Sequence, residues 1–281
     1  MEKIGVIGAG VMGSGVAQNF AQNGFYITLV DVSQPILEKA KENIHNNVRF
    51  HALFNKQSIV EDEQSIMSRI TFTTDYNLLE NMDVYIENVT EDWEIKKNVY
   101  KQLMDIKTQN PIYMVNTSCI SITKIAALTK TPSRVIGTHF MNPVPLKSAV
   151  EVIRGYHTSD ETVNETERIL SKLKKECIVV NDMPGFVSNR ISHLLMNEAA
   201  FIVQDQISTP RDIDDIFKKC YGHKMGPLET ADLIGLDTVV NSLDILYESF
   251  QDSKFRCCPL LRKMVHAGLL GCKSGEGFYL Y

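Results

Sequence analysis

The chain has 281 residues, 44% apolar and 22% charged, which is the balance of a folded globular protein and not of a disordered or membrane one. Its formal net charge of −5 gives no electrostatic reason to expect nucleic acid or an anionic membrane as partner. The length favours two domains over one.

No apolar run approaches the roughly 18 residues needed to span a bilayer. The glycine-rich opening Met1 to Gly8 does not read as a secretory signal, so the cytosol is the expected compartment. Cysteines 119, 177, 220, 257, 258 and 272 show no CxxC or Cys/His ligand spacing. They are expected to be reduced thiols, with no metal site and no disulfide framework. The pair Cys257-Cys258 reads as two ordinary thiols in preference to a redox switch.

In chain order, short apolar runs predict strands at Lys3 to Ile7, Tyr26 to Val30, Asp83 to Ile86, Ile112 to Val115, Val135 to Thr138 and Ile178 to Val180. Between them lie helical patterns such as Pro35 to Phe50 and Asp92 to Ile106. In the latter, Trp93, Ile95, Val99, Leu103 and Ile106 recur near the 3.6 period. Such alternation predicts a parallel α/β sheet with crossover helices. After Pro184-Gly185 the strand signals stop, and helices are expected at Phe186 to Asp205, Pro210 to Cys220, Pro227 to Phe250 and Pro259 to Ala267. The fold class is therefore α/β, with a Rossmann-type domain over 1–183 and a smaller all-α domain over 184–281. The second half of the Phe186 helix is apolar on more than one stripe, which predicts burial at a domain or subunit interface.

The first strand runs into Gly8-Ala9-Gly10-Val11-Met12-Gly13, a helix follows, and the second strand ends at Asp31. Gly8 permits a tight turn, Gly10 lets backbone approach a pyrophosphate, and Gly13 lets helix and strand pack closely. The helix N-terminus offers amide groups, Val11 and Met12 included, to phosphates. Asp31 is placed to accept from ribose hydroxyls and to repel a 2′-phosphate, which selects NAD over NADP. FAD-binding proteins share this fingerprint, so the turn alone names no reaction.

His139 ends a predicted strand, where open α/β sheets place their ligand crevice. A histidine there can take a hydroxyl proton while hydride leaves the same carbon, and a carboxylate on its other nitrogen would fix the tautomer. Glu151, within the apolar run Ala149 to Ile153, is the natural partner, since a carboxylate among apolar residues calls for pairing. On spacing alone, a strand-end histidine and an edge-strand charge explain the same residues.

Several ordered segments carry a resemblance. They are Asn116-Thr117-Ser118, His139-Phe140-Met141-Asn142-Pro143, Pro184 to Arg190, Met225 to Glu229 with Asp232 to Asp237, and Lys273 to Tyr279. Together, over essentially the whole chain, they resemble the 3-hydroxyacyl-CoA dehydrogenase family. The resemblance implies a Rossmann domain followed by a helical dimerisation domain. It implies His139 as base, Glu151 as its orienting carboxylate, and Ser118 and Asn189 as groups holding the substrate hydroxyl and thioester region. Glu91, Lys96, Asn116 and Asn142 match family positions near the ribose and nicotinamide of NAD.

Members that use CoA tend to carry a lysine-rich helical hairpin after the second strand. The matching region, Lys41 to Val60, holds only Lys41, Arg49 and Lys56 as fixed positive charges, a poor clamp for a CoA phosphate. Ser148 stands where the family commonly has lysine before the catalytic glutamate. These departures, with the wording of Arg49 to Leu53, Pro143 to His157 and Tyr247 to Leu261, resemble the branch oxidising glyceryl groups on acyl carrier protein for hydroxymalonyl and methoxymalonyl extender units. Glyceryl-acyl carrier protein is accordingly the favoured substrate, with 3-hydroxybutyryl-CoA as the alternative. Two further readings are a non-catalytic NAD-binding protein and a dehydrogenase of a free hydroxy acid or carnitine-like substrate. The expected assembly is a homodimer.

Overall fold

A computed structural model describes residues 2–54 and 63–281, the side chains of 50–54 excepted. The chain divides into two compact units, Met1–Asp182 and Met183–Tyr281.

Among the described residues the first unit carries strands β1 (Lys3–Ile7), β2 (Tyr26–Val30), β3 (Ile70–Thr73), β4 (Val84–Glu87), β5 (Ile112–Val115), β6 (Val135–His139), β7 (Ala149–Arg154) and β8 (Glu176–Asn181). They form one sheet in the order β3-β2-β1-β4-β5-β6-β7-β8. Pairing is parallel from β3 through to β6. The order reverses about β1, which opens a crevice at the carboxyl ends of β1 and β4.

Five of the six expected strands, from Lys3, Tyr26, Asp83, Ile112 and Val135, lie in the parallel part beside β3, which the local pattern does not announce. The expected strand at Ile178 is β8 and runs the other way with β7, since β7 pairs antiparallel with β6 and β8 parallel with β7. The reason is chain length. Only residues 140–148 join β6 to β7, fewer than the dozen or more that a parallel crossover requires. Between β7 and β8 there is room for a helix at Asp160–Lys172, and that connection is a parallel crossover. Glu151 thus sits on an interior strand and not on an edge.

Helix α1 (Val11–Gln22) buries Val16, Ala17, Phe20 and Ala21 against Ile4, Val6, Ile27 and Leu29 of the sheet. Its small residues let Val144, from the 140–148 connection, reach the same core. Helix α2 (Gln34–Phe54) follows β2, α3 (Glu63–Ser68) precedes β3, and α4 (Trp93–Asp105) follows β4. Asp92 starts α4 as an N-cap, its Oδ1 accepting from the Ile95 amide at 2.9 Å.

The second unit consists of α7 (Ser188–Gln204), α8 (Pro210–Cys220), α9 (Pro227–Ile234), α10 (Leu236–Phe250) and α11 (Pro259–His266), numbering α5 (Ile122–Ala126) and α6 (Asp160–Lys172) in the first. A single helix was expected over Pro227 to Phe250; the structure breaks it at Gly235, whose φ is +102°. Leu236, Val239, Leu243 and Ala231 from both pieces enter one core with Met196, Ala199 and Ala200 of α7. Two buried carboxylates hold the chain end: Asp232 accepts from the amides of Phe278 and Tyr279 at 3.1 and 3.0 Å, and Asp214 from the Tyr279 hydroxyl at 2.6 Å. Cys257 and Cys258 are buried free thiols, and burial pushes Cys257 up to about 11, an inert environment for redox chemistry. Among the described residues no helix is long and apolar enough to cross a membrane.

Candidate active site

The turn after β1 shows which glycines the fold demands. Gly8 has φ +91°, and a Cβ there would lie 2.8 Å from the Asn88 carbonyl oxygen. A Cβ on Gly13 would lie 1.8 Å from the Gly8 carbonyl oxygen, so α1 packs on the turn only because Gly13 has no side chain. Gly10 differs: among the described residues nothing lies within 4 Å of its Cβ position. The chain itself has no use for a glycine there, whereas a phosphate group brought close to the backbone does. Gly10 also begins α1 without a side-chain cap, leaving first-turn amides, those of Val11 and Met12 among them, for an anion. Val11 is exposed, while the Met12 side chain packs on the core, so Met12 offers backbone only.

Asp31 follows β2 and faces this turn. Its Oδ2 accepts from the Ala9 amide at 2.8 Å and its Oδ1 from the Ser33 amide at 3.0 Å. Each oxygen keeps a second lone pair for a ribose hydroxyl. Asp31 is therefore a brace for the glycine turn as well as an acceptor, a role the sequence does not reveal. Beside it lies a cavity of about 320 Å³ walled by Val32, Ile36, Tyr76 and Ile95 with Gly8 and Gly10. Burial and the charges of Asp31 and Glu87 push the Tyr76 phenol up to about 12, so it is a neutral donor and apolar wall. Apolar walls, a carboxylate and free helix amides fit the adenosine and pyrophosphate of NAD.

Four strands along the sheet, His139 closes β6 and stands opposite Glu151 of β7 in register. His139 Nδ1 lies 3.0 Å from Glu151 Oε2, with the two residues 6% and 9% exposed. An ionised carboxylate only accepts, so the proton sits on Nδ1 and Nε2 presents a lone pair. Ser118 Oγ is 3.4 Å from that Nε2. The arrangement is a base with a fixed tautomer and a hydroxyl beside its reactive nitrogen, suited to removing a proton from a substrate hydroxyl.

The 140–148 connection between the pair is pinned by a residue the sequence reading missed. Lys175, just before β8, is buried and donates to the carbonyls of Val144 at 2.7 Å and Lys147 at 2.5 Å. Burial lowers its pKa. A lysine does support the glutamate strand, from the neighbouring strand instead of from position 148.

Of the other expected cofactor residues, Lys96 is turned inward. It is fully buried, with its Nζ 2.8 Å from Glu87 Oε1 and 3.3 Å from the Asn116 carbonyl, and 3.8 Å from Glu91 Oε2. Glu87 was overlooked, though a glutamate ending an apolar strand nine residues before a lysine on a helix is the signature of a buried pair. Asn116 donates from Nδ2 to Asn88 Oδ1 at 2.7 Å and accepts at Oδ1 from the Phe140 amide at 3.2 Å, tying the ends of β4, β5 and β6. Asn142 is exposed beyond β6. Asn189 lies in the first turn of α7 in the second unit, half-buried, its carbonyl accepting from His193 Nδ1 at 2.9 Å. In the expected CoA-phosphate region, Arg49 is 4.0 Å from Glu63 and Lys41 is exposed. Lys56 lies outside the described residues.

Residues 3–183 match the NAD binding domain model of 3-hydroxyacyl-CoA dehydrogenase, and residues 185–281 match the model of its C-terminal domain. The chain belongs to the 3-hydroxyacyl-CoA dehydrogenase family. It is an NAD-dependent oxidoreductase of that family, its α/β unit matching the NAD binding domain and its helical unit the C-terminal domain. A probable 3-hydroxybutyryl-CoA dehydrogenase of Deinococcus radiodurans is 46% identical over 279 residues, covering 99% of this chain and 100% of its own. A 3-hydroxybutyryl-CoA dehydrogenase of Bradyrhizobium diazoefficiens is 40% identical over 282 residues, covering 100% of this chain and 96% of its own. The crystal structure of (S)-3-hydroxybutyryl-CoA dehydrogenase from Ralstonia eutropha superposes with a TM-score of 0.94 at 40% identity, covering 100% of this chain and 99% of that one.

Proposed function

We propose that this enzyme oxidises the 3-hydroxyl of a short 3-hydroxyacyl-CoA, of the 3-hydroxybutyryl-CoA type, to the 3-oxoacyl-CoA. The observation that carries the chemistry is the His139–Glu151 pair with Ser118 beside Nε2. Bound NAD supplies the hydride acceptor for C3. His139 Nε2 takes the hydroxyl proton, and Glu151, already bound to Nδ1–H, stabilises the imidazolium that forms. Ser118 Oγ holds the substrate oxygen beside that nitrogen. Gly8, Gly10, Val11, Met12, Gly13 and Asp31 hold the cofactor, with Glu91, Asn116 and Asn142 disposed around its nicotinamide half and the buried Lys96 bracing Glu91 and Asn116 from behind. Asn189 takes the substrate-holding role that the family resemblance implies.

The choice of carrier turns on the relatives. The expectation of glyceryl-acyl carrier protein rested on the sparse basic residues Lys41, Arg49 and Lys56, on Ser148 and on the wording of three segments, whereas the three relatives described above, similar over the full chain, are named for a CoA thioester. Those names support coenzyme A, and none of them supports the carrier-protein branch. A homodimer is proposed from the second unit, where Val187, Ile191, Ile207 and Leu233 are exposed apolar side chains. Sedimentation at two protein concentrations tests the dimer.

The deciding experiment follows NADH formation with (S)-3-hydroxybutyryl-CoA, glyceryl-acyl carrier protein and free 3-hydroxybutyrate side by side. The CoA ester is expected to give the highest kcat/KM, by at least about tenfold, a difference of roughly 1.4 kcal/mol in transition-state binding. Faster turnover of the carrier-protein ester overturns the assignment.

A further inference from the structure

We infer that Glu91 is a positioning residue for Ser118: its carboxylate holds the turn that aims the serine hydroxyl at His139. The catalytic meaning of that aim rests on the function proposed above. A single oxygen, Glu91 Oε1, accepts from the Thr117 hydroxyl at 2.5 Å and from three consecutive amides, Ser118 at 3.0 Å, Cys119 at 2.8 Å and Ile120 at 3.2 Å. The donors lie 26 to 29 residues beyond the glutamate, on the segment between β5 and α5. One local bond contributes, the Ile120 amide also donating to Thr117 Oγ1 at 3.1 Å, but the carboxylate that gathers all four donors comes from 26 or more residues away.

The turn's flanking side chains are fixed as well. Thr117 and Cys119 are buried at 2% and 1% exposure, and Ser118 between them is the one whose Oγ lies 3.4 Å from His139 Nε2. Behind the carboxylate the anchor is equally closed. Glu91 Oε2 is 3.8 Å from the ammonium of fully buried Lys96, which Glu87 holds at 2.8 Å and which also donates to the Asn116 carbonyl. A buried ion pair is thus the footing, Glu91 the strut, and Ser118 the tip. Hydrogen bonds to an ionised acceptor are shorter and stronger than neutral ones, so a carboxylate suits a turn with four donors better than an amide would.

This differs from a glutamate that only touches the cofactor's ribose, and the two roles separate by measurement. Full-length Glu91→Ala and Glu91→Gln are compared with the unmodified enzyme by amide hydrogen exchange and by steady-state kinetics. In Glu91→Ala, exchange at residues 118–120 is expected to rise roughly tenfold or more while the sheet amides keep their protection. With 3-hydroxybutyryl-CoA at saturating NAD, kcat is expected to fall by about 10²-fold, the cost of a small misplacement near the reacting atoms, and a rise in the KM for NAD reports the separate contact with the cofactor. Glu91→Gln, which keeps an oxygen acceptor, is expected to recover most of the protection and part of kcat. Adding Ser118→Ala to Glu91→Ala is expected to cost little more.

Unchanged exchange at 118–120 in Glu91→Ala overturns the inference, as does a raised KM for NAD with kcat preserved. If the unmodified enzyme fails to oxidise 3-hydroxybutyryl-CoA, the proposed function falls, and the exchange comparison alone then decides whether Glu91 holds the turn.

Discussion

Glu151 Oε2 lies 3.0 Å from His139 Nδ1 because the two residues are direct cross-strand partners in the antiparallel β6–β7 pair. Neighbours directly opposite on such a pair have their Cβ atoms about 5 Å apart and on the same face. The hydrogen bond is therefore a product of register, with both side chains held by the sheet.

Replacing Glu151 with glutamine keeps the shape and removes the charge that selects the Nδ1–H tautomer. Turnover in Glu151→Gln is expected to fall by about 10²- to 10⁴-fold, with the KM for NAD little changed. Combining it with His139→Asn should add little, since the pair acts as a unit. A loss in kcat smaller than about threefold would remove Glu151 from the mechanism.

Asp31 supports a prediction with two parts. Its carboxylate accepts from the Ala9 amide at 2.8 Å and, in the proposed function, from the ribose of the cofactor. In Asp31→Asn the negative charge is lost while an acceptor remains, so the NADP to NAD ratio of kcat/KM is expected to rise by roughly tenfold or more. Asp31→Leu also removes the brace on the glycine turn, and both cofactors should then bind poorly. Cofactor titrations of the two variants check this, and an unaltered preference in Asp31→Asn would count against the charge as the discriminator.

Gly235 separates α9 from α10 with φ +102°, and a Cβ there would lie 2.8 Å from Asp237 Oδ1 and 2.4 Å from Lys273 Cε. Asp237 and Lys273 form an ion pair at 2.9 Å beside it. Gly235→Ala is expected to destabilise the second unit by about 1–3 kcal/mol through backbone strain and displacement of that pair. Calorimetry should show a lowered midpoint for that unit; an unshifted transition would mean the helix break does not depend on glycine.

Where local chemistry decides structure, the chain is readable. The strands from Lys3, Tyr26 and Ile112 and the helix after Gly10 are each set by their own apolar period or glycines. Glu151 was identifiable as a partner for His139 because a carboxylate inside an apolar run must find one. What escaped reading was set by tertiary contact. The reversal of β7 follows from the length of one connection. Lys175 and the hold of Glu91 on residues 117–120 each join segments far apart in the chain, where no local pattern announces the partner.

The short connection between β6 and β7 also sets what variation the enzyme can absorb. Within 140–148, Met141, Asn142 and Pro143 are not buried, while Lys175 clamps the far end through the carbonyls of Val144 and Lys147, atoms that every residue type supplies. A one-residue insertion in β7 itself would turn Glu151 to the opposite face of the sheet. Changes in side chain along the connection leave the strand register alone. Side-chain tolerance and proton chemistry thus occupy separate stretches of one hairpin: substitutions are absorbed in the connection, and insertions are excluded from the strand.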